Sequence, residues 1–420
     1  MPRQPLEQLP ARRFQEIRLA SDTNTMDIQL ADPESVGLSS SALERAGAAL
    51  RNEIARGRLP GAVVLVARHG QIAWFEAFGR LAPDGDAQMR GDAIFRIYSM
   101  TKPLVSLAAM MLMESGRLTL DDPLSQYLPE FANPRVARHD GASSGQVQLE
   151  PVLRPITLQD LLRHTSGITY EFLGAGSVHK AYREARLGDP RRSNAQMCEL
   201  LATLPLLHAP GERWGYGHST DVLGRVVEVV SGQPLGAFLR ERILEPLGMV
   251  DTAFHVPSAE QHRIAEPFAV DPDNGEPVRL LDPRRAPALE MGGGGLMSTA
   301  SDYARFVQML IDGGRFGGTR LVGRKTIELM SADHLGAIPV SSPLLPPGHG
   351  FGLGFAVRTQ SGVASTPGSV GQYFWSGIAG TTFWVDPQEK LYAILMIQAP
   401  GQRVRLRQMF RSLVYAAIDD

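Results

Sequence analysis

Apolar positions along this chain recur at two different periods, and the switches between them mark out its elements. Over residues 38–55 (LSSSALERAGAALRNEIA) they fall at helical spacing behind a serine able to cap, which predicts an amphipathic helix. Residues 61–79 (GAVVLVARHGQIAWFEAFG) hold two β-rich runs on either side of His69-Gly70, the signature of a hairpin. After FRIYS, the stretch MTKPLVSLAAMMLMESG is apolar almost throughout and stops at Gly116, predicting a buried helix. Residues 121–290 are mixed and rich in Pro and Gly turns. They carry helical segments (ITLQDLLRHT, STDVLGRVVEVVSG, LGAFLRERILEPLG) but no clear strand ladder. Four glycines, 292–295, lead into a further helical run, LMSTASDYARFVQMLIDGG. The pattern then returns to strands at 351–359, 372–378, 380–387 and 390–398, and a last helix fills 402–418.

A hairpin near one end and several strands near the other therefore flank a mostly helical middle. The economical arrangement is an α/β fold in which one antiparallel sheet is built from both chain ends and flanked by helices, with a mostly helical domain inserted. The expected divisions are an N-terminal extension over 1–31, an α/β domain from 32–115 and 290–420, and the helical insertion over 116–289. A substrate cleft would fall naturally between the two regions.

Charge and composition narrow the function. A formal net charge of −2, from 42 basic and 44 acidic residues, leaves no excess to hold nucleic acid or an anionic membrane. Only four of the basic residues are lysines, so a lysine inside a motif is informative. Cys198 is the sole cysteine and excludes an intrachain disulfide. The N-terminal stretch is polar and Pro-containing, with Met26 as an alternative start. It has no apolar core of signal-peptide length, and no later apolar run reaches ~18 residues. A soluble, cytoplasmic protein acting on a small molecule is the expectation, with no nucleic-acid or membrane partner.

Several catalytic signatures are missing. There is no G-x-S-x-G elbow and no H-E-x-x-H, and the ten histidines are scattered, so neither a metal nor an organic cofactor is called for. The Gly292–Gly295 run lacks the Lys-Ser/Thr of a phosphate loop and reads as a tight or flexible backbone segment. S-x-x-K occurs twice, at Ser99–Lys102 and Ser177–Lys180. Ser99 ends a β-like run and opens the apolar helix, so Ser99 and Lys102 share a face one turn apart. A serine there sits beside unpaired backbone N–H groups and the positive end of the helix dipole. Burial among Leu, Val and Met would make Lys102 a proton-sharing partner for a nucleophile. Taken alone, these residues fit a serine cap followed by a surface lysine equally well. Ser177 lies in a polar, Gly-rich stretch and is the weaker copy.

FRIYSMTKP followed by SGRLTLDDPLSQYLPEF resembles the nucleophile region of the serine β-lactamase and penicillin-binding-protein superfamily. The chain is most similar to class C β-lactamases and family VIII carboxylesterases. ITLQDLLRHTSGI, PGERWGYGHSTDVLG and GGGGLMSTASDYARF resemble that group's recurring segments, and the likeness runs from about residue 32 to the C-terminus. The resemblance implies a β-lactamase-like fold with Ser99 as nucleophile and Lys102 beside it. The family's Tyr-x-Asn stands here as Tyr216-Gly217-His218. The resemblance implies that Tyr216, as a phenolate stabilised by Lys102, takes the proton from Ser99. Read without it, Tyr216, one of nine tyrosines, is better taken as a packing residue between Trp214 and His218. His218 is either a substrate contact or a polar loop residue. The family's Lys/His-Thr-Gly strand is represented by Trp375-Ser376-Gly377-Ile378, as in family VIII esterases. By analogy the N–H groups of Ser99 and Ile378 form an oxyanion hole, Gly377 allows close approach, and Trp375 lines the site or belongs to the sheet core.

The expected activity is cleavage of short-chain carboxylic esters through a Ser99 acyl-enzyme. The rivals are a β-lactamase, a D-amino-acid peptidase, an amide hydrolase or acyltransferase, or, from another class, a non-catalytic ligand-binding protein.

Overall fold

A computed structural model describes residues 28–139, 147–340 and 342–420. Its centre is a seven-stranded antiparallel sheet. The strands are β1 (Gly61–Arg68), β2 (Gln71–Gly79), β3 (His349–Phe351), β4 (Ala356–Arg358), β5 (Tyr373–Ser376), β6 (Gly380–Asp386) and β7 (Leu391–Gln398), in the order β2-β1-β7-β6-β5-β4-β3. The N-terminal hairpin joins the C-terminal strands through β1 and β7, which pair from Ala62–Ile397 to Arg68–Leu391. Every residue of β1 and β7 is buried. Inward and outward positions alike are therefore covered, which explains why these strands read as near-continuous apolar runs rather than alternating ones. His69 and Gly70 both take positive φ (54° and 77°), the conformation that a two-residue hairpin loop requires.

The five longest helices among the described residues are α1 (Ser40–Ala55), α2 (Thr101–Glu114), α3 (Ser219–Ser231), α4 (Ala300–Ile311) and α5 (Arg403–Tyr415). Ser39 caps α1, its side chain accepting from the Ala42 N–H. Helices α1 and α5 pack on each other and on the sheet, while α4 packs on β1 and β7. Helix α2 is buried on all sides from Thr101 to Met110 and packs along α3. That pairing sets the start of α2, with Ser99 and Lys102, against the start of α3, with Tyr216 and His218. No single helix among the described residues is long and apolar enough to cross a membrane.

Three local features differ from the pattern-based expectation. The run 351–359 is not one strand. Gly352 hydrogen-bonds back to Phe355 and Gly354 takes φ +102°, reversing the chain between β3 and β4. The middle region contains a two-stranded ladder, Arg135–His139 with Val147–Pro151. Among its residues whose burial is described, only Val136 and Ala137 are buried, too few to give an apolar alternation in the sequence. The N-terminal extension lies outside the described residues up to 27. Residues 29–31, by contrast, run beside β2, exchanging hydrogen bonds with Ile72.

Candidate active site

The chain enters the site through Tyr98, which adopts φ +44°, a region costly for a bulky side chain. The Tyr98 hydroxyl accepts the Leu281 N–H at 2.8 Å and helps hold this conformation. Ser99 follows in a single 3₁₀ turn (Tyr98–Met100) that runs into α2. No hydrogen bond from the Ser99 N–H is found among the described residues.

Lys102, one turn on, is fully buried. Its ammonium reaches Ser99 Oγ at 3.3 Å, Tyr170 OH at 3.1 Å and the Gly293 carbonyl at 2.5 Å. It also lies 4.6 Å from the centre of the Tyr216 ring. All three hydrogen-bond partners are neutral oxygens. A buried cation without a directly bonded carboxylate is costly to desolvate and is uncommon where only stability is served.

Tyr216 sits in an aromatic box of His164, Trp214, Tyr170 and Trp375, with ring centres 4.7–6.1 Å away. Trp375 Nε1 donates to Tyr216 OH at 3.1 Å. Trp375 is itself buried and packs edge-on against Phe351. Burial and the Lys102 charge hold the His164 imidazole well below its usual pKa, so it is neutral at the wall of this box.

Ile378 follows β5 in the turn to β6. Its side chain is 40% exposed, and no hydrogen bond from its N–H is found among the described residues. At Gly377 a Cβ would lie 2.4 Å from both the Ile97 carbonyl and Thr381 Oγ1, so only glycine lets this turn approach the segment that leads into Ser99. Thr381 Oγ1 donates to the Ile97 carbonyl at 3.3 Å, fastening the turn two residues before Ser99.

His218 is buried, with both ring nitrogens facing carboxylates: Asp221 Oδ2 at 2.9 Å and Glu171 Oε2 at 3.3 Å. Burial would push its pKa down, but the bonds to Asp221 and Glu171 outweigh this and raise it, favouring an imidazolium. Asp221 in turn accepts the Gly293 N–H at 2.7 Å. The structure thus brings Ser99, Lys102 and Tyr216 together and places His218 one layer behind them. Ser177 and Lys180 lie on a separate short helix, where Lys180 is exposed and pairs with Glu184.

Sequence reasoning gave no site role to Tyr170, Glu171, Asp221 or Gly293. Tyr170 stands two residues after the HTSGI segment, and Asp221 stands one helical turn beyond His218. Both signals were available. Glu171 carries none, because its contact with His218 is made across the fold.

The chain and its fold have counterparts among known proteins. The chain belongs to the Beta-lactamase family, whose model matches residues 43–416. It is 35% identical to Protein Rv1367c of Mycobacterium tuberculosis over 84% of this chain and 88% of that protein. It is 34% identical to Esterase EstB of Burkholderia gladioli over 92% of this chain and 98% of that protein. The fold matches that of EstCE1, described as a hydrolase with promiscuous acyltransferase activity, with a TM-score of 0.74 and 30% identity. That match covers 89% of this chain and 98% of the other.

Proposed function

We propose that this protein is a serine carboxylesterase that cleaves short-chain esters through an acyl-enzyme on Ser99. The observation that carries the proposal is the fully buried Lys102 ammonium 3.3 Å from Ser99 Oγ, at a helix start whose backbone N–H is free. Likeness to EstB and EstCE1 over most of both chains supports it.

Ser99 Oγ attacks the ester carbonyl carbon while its proton passes to the Tyr216 oxygen. Both the Lys102 ammonium and the Trp375 N–H interact favourably with negative charge on that oxygen. The carbonyl oxygen becomes an oxyanion between the N–H groups of Ser99 and Ile378. Collapse expels the alcohol, which takes the proton from Tyr216. Water then enters by the reverse route and releases the acid, regenerating Ser99.

Tyr170 is the other phenol on Lys102, but it suits the base role poorly. Burial, then the charges of Asp221, Tyr216 and Glu171, push its pKa well up, so it remains a neutral hydrogen-bond partner. The strand beside the site offers a buried Trp375 rather than a cation. A β-lactam carboxylate therefore finds no counter-charge there, and a neutral ester is the better fit.

The test combines labelling with a substrate comparison. A fluorophosphonate should modify the peptide containing Ser99, and Ser99→Ala should abolish turnover while Ser177→Ala leaves it near wild type. Wild-type kcat/KM for a short p-nitrophenyl ester should exceed that for a chromogenic cephalosporin. Labelling elsewhere would refute the nucleophile. Preference for the cephalosporin would refute the esterase assignment. Soluble cytoplasmic residence, with no nucleic-acid or membrane partner, is proposed alongside.

A further inference from the structure

The peptide unit joining Gly377 to Ile378 has two polar ends. Its N–H is the proposed oxyanion donor. Its C=O accepts a close hydrogen bond from the Arg407 guanidinium, and a second from the Gly380 N–H at 3.0 Å. Arg407 projects from α5 and also donates to the carbonyls of Thr381 at 3.1 Å and Gly380 at 3.3 Å. All its acceptors are therefore carbonyls of one five-residue turn. Among the described residues no carboxylate pairs with it, whereas Arg405, two residues earlier, pairs with Glu53. Burial, with Arg403 and Arg411 nearby, pushes its pKa down to about 9, which leaves it charged at neutral pH.

Resting on the proposed esterase function, we infer that Arg407 is a positioning residue of ester cleavage, which aims and strengthens the Ile378 N–H through the shared Gly377–Ile378 peptide. The carbonyl and N–H of one peptide are conjugated. A cation on the oxygen draws density from the nitrogen, so the N–H becomes a stronger donor, as in any chain of polarised hydrogen bonds. Charge-assisted bonds are roughly twice as strong as neutral ones, so the guanidinium also fixes where that N–H points. A donor held in place before the reaction needs no reorganisation when the oxyanion forms. The Thr381–Ile97 bond holds the same turn from the nucleophile side, which leaves Arg407 as its anchor on the helix side.

The experiment uses the full chain and its Arg407→Met and Arg407→Lys variants. Three quantities are read: kcat and KM on a short p-nitrophenyl ester, the melting temperature, and the infrared carbonyl stretch of an acyl-enzyme. That acyl-enzyme is formed with ¹³C-carbonyl p-nitrophenyl pivalate, whose bulk slows deacylation. Removing an oxyanion donor outright costs about 10²–10³ in kcat; weakening one should cost about 10–100-fold in Arg407→Met. KM should stay within about twofold, the acyl carbonyl band should move to higher frequency, and Arg407→Lys should fall between Arg407→Met and wild type. A folded variant with wild-type kcat and an unmoved band overturns the inference, as does a lost kcat with an unmoved band. Where Arg407→Met fails to fold, the band in Arg407→Lys decides alone. If wild type acylates Ser99 but the variants leave the band in place, only this inference fails. If wild type forms no acyl-enzyme on Ser99, the proposed function fails with it.

Discussion

A buried ammonium keeps its place only where its surroundings compensate for lost water, so the three oxygens around Lys102 set what each nearby residue contributes. Ser99 Oγ is the weakest-held of them at 3.3 Å; the Gly293 carbonyl, at 2.5 Å, anchors the charge. The two phenols then divide by environment. Tyr216 receives an N–H from Trp375 and has Lys102 over its ring. Tyr170 is kept protonated first by its burial and then by the nearby charges of Asp221, Tyr216 and Glu171. Tyr216→Phe should lower kcat on a p-nitrophenyl ester by about 10²–10⁴, the range of general acid–base catalysis. Tyr170→Phe removes only one of three partners of Lys102 and should cost about tenfold, the worth of one hydrogen bond to a charged group. The two variants measured side by side decide the assignment, and a deeper loss in Tyr170→Phe would exchange the two roles.

Among elements, the Gly292–Gly295 segment shows what the sequence could and could not reveal. Four glycines predict either a loose or a tight backbone, and periodicity cannot choose between them. Packing chooses: a Cβ at Gly293 would lie 2.6 Å from Asp221 Oδ2 and 2.8 Å from Tyr170 OH. Asp221 is buried and already committed to His218 and the Gly293 N–H, so it has nowhere to retreat. Gly293→Ala should therefore displace the carbonyl that anchors Lys102. Overpacking of this kind costs about 1–3 kcal/mol, and we expect kcat to fall more than about tenfold. Steady-state kinetics with a melting curve would check this, and wild-type kcat in the variant would show the segment to be yielding. Most strands and the long helices were legible because burial fills them with apolar residues, and the Ser99–Lys102 pair because the two residues stand one helical turn apart where the 3₁₀ turn runs into α2. The β3–β4 reversal was hidden because Phe351, Leu353 and Phe355 keep a strand-like alternation across the turn. Arg407 was hidden because its partners are backbone carbonyls 26–30 residues away, and a carbonyl leaves no mark on a sequence.

For the whole molecule, the His218 cluster matters as a joint between distant parts of the chain. Glu171, His218 with Asp221 at the start of α3, and Gly293 are tied there by hydrogen bonds, with the Tyr170 ring edge-on to the imidazole at 4.3 Å. The Lys102 charge also acts on Asp221. The three ionisable partners impose opposite limits on stability. Burial opposes charge on all of them, yet their mutual bonds lower the pKa of Asp221 and Glu171 and raise that of His218. A lowered carboxylate stabilises the fold above its unfolded pKa and loses that contribution as pH falls through its folded value. A raised imidazole stabilises fully below its unfolded pKa and loses that contribution as pH rises through its folded value. With ordinary values of 3.8, 4.5 and 6.5, all three contributions overlap between pH 4.5 and 6.5 and decline on both sides. His218→Gln keeps the size and some hydrogen bonding but removes the charge. It should cost about 3 kcal/mol within that window, as expected for breaking a buried pair, and should flatten the alkaline decline. Melting temperature measured from about pH 4 to about pH 10 in both proteins tests this. An alkaline slope identical in wild type and His218→Gln would place the titrating group elsewhere.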